Sequence, residues 1–300
     1  MKPLAVDHDS TGGTMTEDTP SARQDRRDWQ ALPQRSRPGR PSSLLSIRTP
    51  ISRGARTTLI VMSFAVPLAA WFIVSAAGVV EPTFLPSPAA TWSAGVEMAK
   101  SGELFTDMWD TVQRILYGFG LAVLVSVPLG ILMGTFSAAN SLFGPLISAV
   151  RYLPAPAFIP LLIIWVGLDE WTKILLLFIG TVFFNTMMTA DVVRSVPMPL
   201  INVSYTLGAR RGEVLRKVIV PHSLPGIVDA ARVNVAAAWN FVVVAELVVS
   251  TTGLGRRIVQ AQRFLQTDRI FAILILIGVI GVLIDLLLRL LRNQVGRWTG

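Results

Sequence analysis

No cysteine occurs among the 300 residues, so neither a disulfide framework nor a thiolate metal site can be built. Histidine is nearly absent: His8 and His222 stand alone, and a histidine-rich metal centre is not expected. Charge is scarce too. Only 15% of residues are charged, 52% are hydrophobic and the mean hydropathy is +0.55, against roughly 25% charge in a soluble domain. Catalytic signatures are missing as well. There is no H-E-x-x-H and no G-x-S-x-G, the patterns a metalloprotease or a serine hydrolase would need. Without G-x-x-x-x-G-K-S/T the chain carries no nucleotide loop of its own, and GLGRR at 253–257 lacks the third glycine of a dinucleotide loop. The expectation is a membrane protein that is not an enzyme.

What is present fits that class. A spanning helix needs about 20 mostly apolar residues, and a charge-free run starts at Thr57 and ends at Val80. The next uncharged run, 115–150, is too long for one span, and the small polar residues TFSAANS at 135–141 divide it. Spans are therefore expected near 57–80, 112–134, 142–168, 174–193, 225–249 and 270–290. The third carries Pro145, Pro154, Pro156 and Pro160, so its first half is expected to be broken. Residues 1–56, rich in proline, serine and arginine, read as a disordered tail without the apolar core of a signal peptide. Lys and Arg divide 18 to 6 between the two faces that six spans create. That asymmetry puts both termini (1–56 and 293–300) and the 194–224 loop in the cytoplasm, and explains a net charge of +8 without nucleic acid. Arg256, Arg257, Arg263 and Arg269 run against it.

The 194–224 loop is the most informative stretch. Val214, Leu215, Val218 and Ile219 fall on one stripe of a helix, with Arg210, Arg216 and Lys217 elsewhere on its surface. Gly208 precedes this helix, Pro221 is expected to end it, and 200–207 is itself helix-compatible. Helix, glycine turn, helix is a compact unit. Periodicity alone does not decide whether it lies on lipid headgroups or docks on a protein.

Gly208, followed after nine residues by Val218 and then by Val220-Pro221, resembles the second half of the EAA loop of ABC importer permeases. The stretches YLPAPAFIPLLIIWVGL (152–168), VVRSVPMPLINVSYTLGA (192–209), PHSLPGIVDAARV (221–233), AWNFVVVAEL (238–247) and TGLGRRI (252–258) resemble, in that order, permeases of the nitrate, sulfonate and taurine subgroup. Several motifs in order are far more specific than one. The resemblance covers 57–292 and implies an all-α integral membrane protein with the six-helix type I importer (MetI-like) fold. It implies an import permease for a small solute such as sulfonate, taurine or nitrate in the cell membrane. It further implies a homodimer, a separate cytoplasmic ABC ATPase subunit that hydrolyses the ATP, no cofactor in this chain, and an extracytoplasmic binding protein docking on 81–110 and 250–268. The coupling residues implied are Asn202, Val203, Ser204, Leu207, Gly208, Ala209, Val218 and Pro221. Here the chain departs from the family: Asn202-Val203-Ser204 stands where relatives have Glu-Ala-Ala, and Pro199 replaces an acidic residue, so a charged contact to the ATPase is lost. An amide keeps roughly half of a charge-assisted bond.

Polar groups inside spans are functional candidates. Asn185, Asn234, Trp239, Asn240 and Glu246 are the candidates for the translocation pathway or its gate; each could equally serve helix packing. Glu246 matches the glutamate of the family's V-A-E-L stretch, and its packing partner would be Asn240 or an arginine of the outer loop. Arg114, Arg151, Asp191, Arg194, Asp229, Arg232 and Asp285 are expected near span ends, where snorkelling accommodates them. The competing class is an ion-coupled secondary transporter or channel, which would hold coupling carboxylates at mid-membrane and two related halves. The uncharged centres of spans one, two, four and six and the absence of an internal repeat speak against it.

Overall fold

The structure, a computed structural model, describes residues 51–296; the expected tail and the last four residues fall outside that range. Every regular element among the described residues is helical. In chain order they are α1 (Arg53–Ala76), α2 (Pro88–Lys100), α3 (Glu103–Thr135), α4 (Ser137–Val150), α5 (Ile159–Val166), α6 (Glu170–Arg194), α7 (Met198–Thr206), α8 (Arg211–Val214), α9 (Val220–Val249), α10 (Leu254–Arg263) and α11 (Thr267–Val295). The chain divides within α1. Up to Met62 the described residues are the opening of that helix; the unit from Ser63 onward holds all the packing described below.

Five helices are long and apolar enough to cross a membrane, or six if α4 and α5, bent by 84° at the break between them, count as one span. The break falls at 151–154, within the first half of the expected 142–168 span, though not at its first proline. α4 runs straight through Pro145. The chain leaves the helix after Val150, Pro154 stands extended, and a 3-10 turn at Ala155–Phe158 leads into α5. Pro154, Pro156 and Pro160 fall in sequence where a continuous helix would need their missing N–H groups.

The core is a sandwich of α3, α6 and α9. Gly130 and Gly134 of α3 let α6 approach so closely that an added Cβ would stand 2.5 Å from Thr189 and Val193, the small-residue packing by which helices associate without a hydrophobic drive. Ile115, Phe119, Leu177, Val235, Ala238, Trp239 and Val242 fill the centre. α1 contributes no buried residue; its later half is tied down where Trp71 donates Nε1–H to the Pro86 carbonyl at 2.9 Å and stacks on Phe271 at 5.5 Å.

Proline 221 does not end the loop's second helix. α8 passes through a π turn, Leu215–Ile219, into α9, with Pro221 in its first turn. A proline ring collides with the carbonyl four residues back, here Lys217, and the widened turn at that place relieves it. The second limb of the 194–224 helix–turn–helix elbow is thus continuous with a spanning helix.

Candidate functional site

The elbow is built in two layers. Its rear is anchored: Val214 and Ile219, with Leu215 and Val218 beside them, pack on Val193, Val196 and Ile227, and Ile201 and Ala209 join the same cluster. The apolar stripe therefore faces protein, while Arg216 and Lys217 stay exposed. Glu213 closes the start of α8 by accepting the Arg210 backbone N–H at 2.9 Å, and pairs with Lys217 at 3.3 Å. Between the limbs, Gly208 adopts φ +84°. Its N–H reaches the Tyr205 carbonyl at 2.9 Å and the Ala209 N–H reaches that of Ser204 at 3.0 Å. That paired geometry ends a helix and requires a residue at ease in the left-handed region.

The front of the elbow is bare. α7 buries none of its nine residues. Leu200, Val203 and Leu207, spaced three and four apart, form one exposed apolar face, with Leu207 81% accessible. Asn202 is exposed beside them. Ser204 is half-buried and returns its hydroxyl to the Leu200 carbonyl at 2.7 Å. Pro199 lies in the first turn, a position that costs the helix nothing.

At the far end of the spans a second constellation centres on two enclosed groups, Arg114 and Glu246, with half-exposed Glu170 at its edge. Arg114 of α3 was expected near a solvated end, yet it is 3% accessible. It spends all its donors. Nε and Nη2 hold the two oxygens of Glu170 at 2.7 and 2.9 Å, Nη1 meets Glu246 at 2.7 Å and the Thr252 carbonyl at 3.0 Å, and Nη2 also reaches the Thr252 hydroxyl at 2.9 Å. Glu246 further accepts from the Thr111 hydroxyl at 2.8 Å and the Gly255 N–H at 2.8 Å, and Lys173 sits 2.6 Å from Glu170. The partner of Glu246 is thus an arginine of α3, neither Asn240 nor an arginine of the loop. The loop joins through its backbone: Gly253 N–H donates to Asp107 at 2.8 Å and Leu254 N–H to Thr111 at 3.0 Å. Gly253 itself has φ +108°, and a Cβ there would stand 2.5 Å from Arg114 Nη1 and from the Glu246 carboxyl. A buried pair is worth little unless its remaining donors and acceptors are met; here they are, and the cluster fixes α3, α6, α9 and the turn into α10 to one another.

The other predicted polar residues separate. Asn234 donates to Asn185 at 2.9 Å between α9 and α6, and Trp239 lies in the central cluster. Asn240 faces outward, its amide returned to the Ala236 carbonyl of its own helix at 3.2 Å. Two of the four arginines that oppose the charge asymmetry are neutralised: Arg257 pairs with Asp107, and Arg269 with Glu97 at 3.2 Å. At the elbow end Arg232 bridges Asp285 at 2.6 Å and Asp229 at 3.1 Å.

Residues 126–297 match the family described as binding-protein-dependent transport system inner membrane component. The chain belongs to this family. Among its relatives, the taurine transport system permease protein TauC of Escherichia coli is 33% identical over 264 residues, 86% of this chain and 95% of its own. The Bacillus subtilis permease protein SsuC, named for aliphatic sulfonates transport, is 35% identical over 234 residues, 78% of this chain and 85% of its own. The fold likeness extends to an inward-facing structure of the MetNI methionine ABC transporter, with a TM-score of 0.58 at 21% identity, covering 64% of this chain and 95% of that one. The protein is accordingly the membrane-spanning permease component of an ABC importer.

Within the permease, the sequence pointed to Glu246 but not to Thr111, Arg114, Glu170, Lys173 and Asp107 around it. A signal was there. Arg114 and Glu246 are opposite charges, one about three turns from the start of α3 and the other one turn from the end of α9, which are brought to one side when the two spans run antiparallel.

Proposed function

We propose that this permease imports a small anion, of the sulfonate, taurine or nitrate kind, handed to it by an extracytoplasmic binding protein and driven by a cytoplasmic ABC ATPase. The names of TauC and SsuC support the substrate class. In this reading two copies form a homodimer, both termini and the elbow are cytoplasmic, as the 18 to 6 division of basic residues favours, and the chain needs no cofactor. The observation that carries it is α7: a rigid helix with a bare apolar face of Leu200, Val203 and Leu207, held on a second limb that runs unbroken into a span. Such a face left in water has no reason to persist in a monomer. Seated in an ATPase groove, it passes the closure of two ATPase subunits to α9 as rigid-body motion and alternates access to the pathway. Asn202, Val203, Ser204, Leu207, Gly208, Ala209, Val218 and Pro221 are the coupling residues; neutral Asn202 makes the contact rest more on the apolar face than on charge.

The test is uptake. Vesicles holding the permease, its ATPase and its binding protein accumulate the anion only with ATP inside reach of the ATPase, and omitting that subunit abolishes uptake. Accumulation driven by an ion gradient without ATP would overturn the reading.

A further inference from the structure

Arg151 stands at the break of the bent span. α4 has 14 residues, which at about 1.5 Å each carry the chain about 21 Å from its start, inside a hydrocarbon layer of about 30 Å. The facing residues agree: Ile179, Gly180, Phe183 and Phe184 occupy the middle of α6. Arg114, Arg232, Arg257 and Arg269 each meet a carboxylate. Arg151 meets none among the described residues; its guanidinium touches only Tyr152, 3.2 Å from the hydroxyl and 5.1 Å from the ring centroid. A cationic side chain at this depth is costly unless something of opposite charge answers it.

Beside it lies a cavity of 310 Å³, lined by Arg151, Tyr152, Pro154, Phe158, Phe183 and Phe241 among others, within the range of small-ligand sites. The opening is made by the unwound residues 151–154 on one side. Opposite, Phe241 of α9 lies flush on Gly180, where a Cβ would come within 2.6 Å of the ring. The cavity thus presents one positive charge, one phenol and largely apolar walls, and a charge contact is stronger beside apolar walls than in bulk water.

We propose that Arg151 is an anion-binding residue of the translocation pathway, taking the sulfonate or other oxyanion headgroup in this chamber while the aromatic walls take its alkyl part. The proposal rests on the anion-import reading above and gives that reading a site. Planar guanidinium donors suit an oxyanion better than an ammonium does, so lysine is a partial substitute at most. A phospholipid phosphate shares the chemistry and is told apart by the test.

Because the chain has no cysteine, Leu153→Cys, on the same cavity wall, supplies one reporter thiol per permease copy, its labelling read on the permease band. In the assembled importer in phosphatidylcholine nanodiscs, ethanesulfonate is expected to slow its labelling by N-ethylmaleimide. Adding Arg151→Gln should raise the ethanesulfonate needed by roughly tenfold or more, with Arg151→Lys between. In vesicles R151Q should lose anion uptake, with R151K between it and the parent. Equal protection with and without Arg151, no protection by ethanesulfonate or nitrate, or protection that appears only when phosphatidylglycerol is added would each overturn the site. Protection that requires Arg151 in an importer that moves only neutral solutes would keep the anion site and sink the function proposed above.

Discussion

At the scale of single residues, the far-end cluster is where one atom matters most. Glu246 has no exposed side-chain surface and answers a guanidinium that is itself 4% exposed. Removing one partner of such a pair leaves a buried charge with too few contacts, a cost of about 3–5 kcal/mol, softened here because half-exposed Glu170 still holds Arg114. Glu246→Ala is therefore expected to destabilise the permease by about 3 kcal/mol, read as a clear fall of its melting temperature in detergent; an unchanged transition would mean the cluster is not closed as described. Gly253→Ala attacks the same place through the backbone. Its φ of +108° and the 2.5 Å approach to Arg114 and Glu246 predict a loss of about 1–3 kcal/mol and faster proteolysis at the 250–253 turn. The opposite charges of Arg114 and Glu246 were legible in the sequence but their pairing was not, because Thr111, Arg114, Glu170 and Glu246 come from three helices whose mutual rotation hydropathy does not encode. The same blindness hid Arg151, whose depth depends on where a proline-rich run chooses to break.

At the scale of elements, the spans were largely legible, since about 20 uncharged residues can do little else in a membrane chain. The elbow was legible too: the stripe of Val214, Leu215, Val218 and Ile219 faces the protein interior as its period requires. What misled was Pro221. A proline reads as a stop, but a π turn ahead of it let the helix continue. In the mechanism proposed above that continuity carries motion from α7 to α9, and the bare face of α7 is testable without harming the fold. Val203 is 57% exposed, so Val203→Asp should change stability by less than about 0.5 kcal/mol. On an apolar docking face a charge is a different matter. Loss of an anchor of about 2 kcal/mol or more predicts that V203D fails to co-purify with the ATPase and loses ATP-driven uptake while its own melting temperature holds. Retained co-purification would take α7 out of the interface.

At the scale of the whole molecule, one outward face of α9 carries an amide among apolar side chains. Val233, Ala236, Asn240 and Leu247 of α9 lie three, four and seven residues apart, so they share one side of the helix. Lipid gives no reason to keep an amide there, whereas a second protein helix does, because small and amide residues join helices where water is absent. The homodimer proposed above supplies that helix from a symmetric copy, and an isologous contact brings a residue near a twofold axis opposite itself. A chain free of cysteine makes the consequence easy to read. Asn240→Cys is expected to form a disulfide-linked dimer under mild oxidation, since linkage needs Cβ atoms only about 3.5–4.5 Å apart. Cysteine at Val282, 69% exposed on α11, should not link under the same conditions. If the pathway alternates around this axis, trapping the ATPase with nucleotide and vanadate should change the rate of the Asn240 linkage. A permease that stays monomeric on gels with cysteine at 240, in membranes where uptake is intact, would place this face against lipid and require the pathway to lie elsewhere.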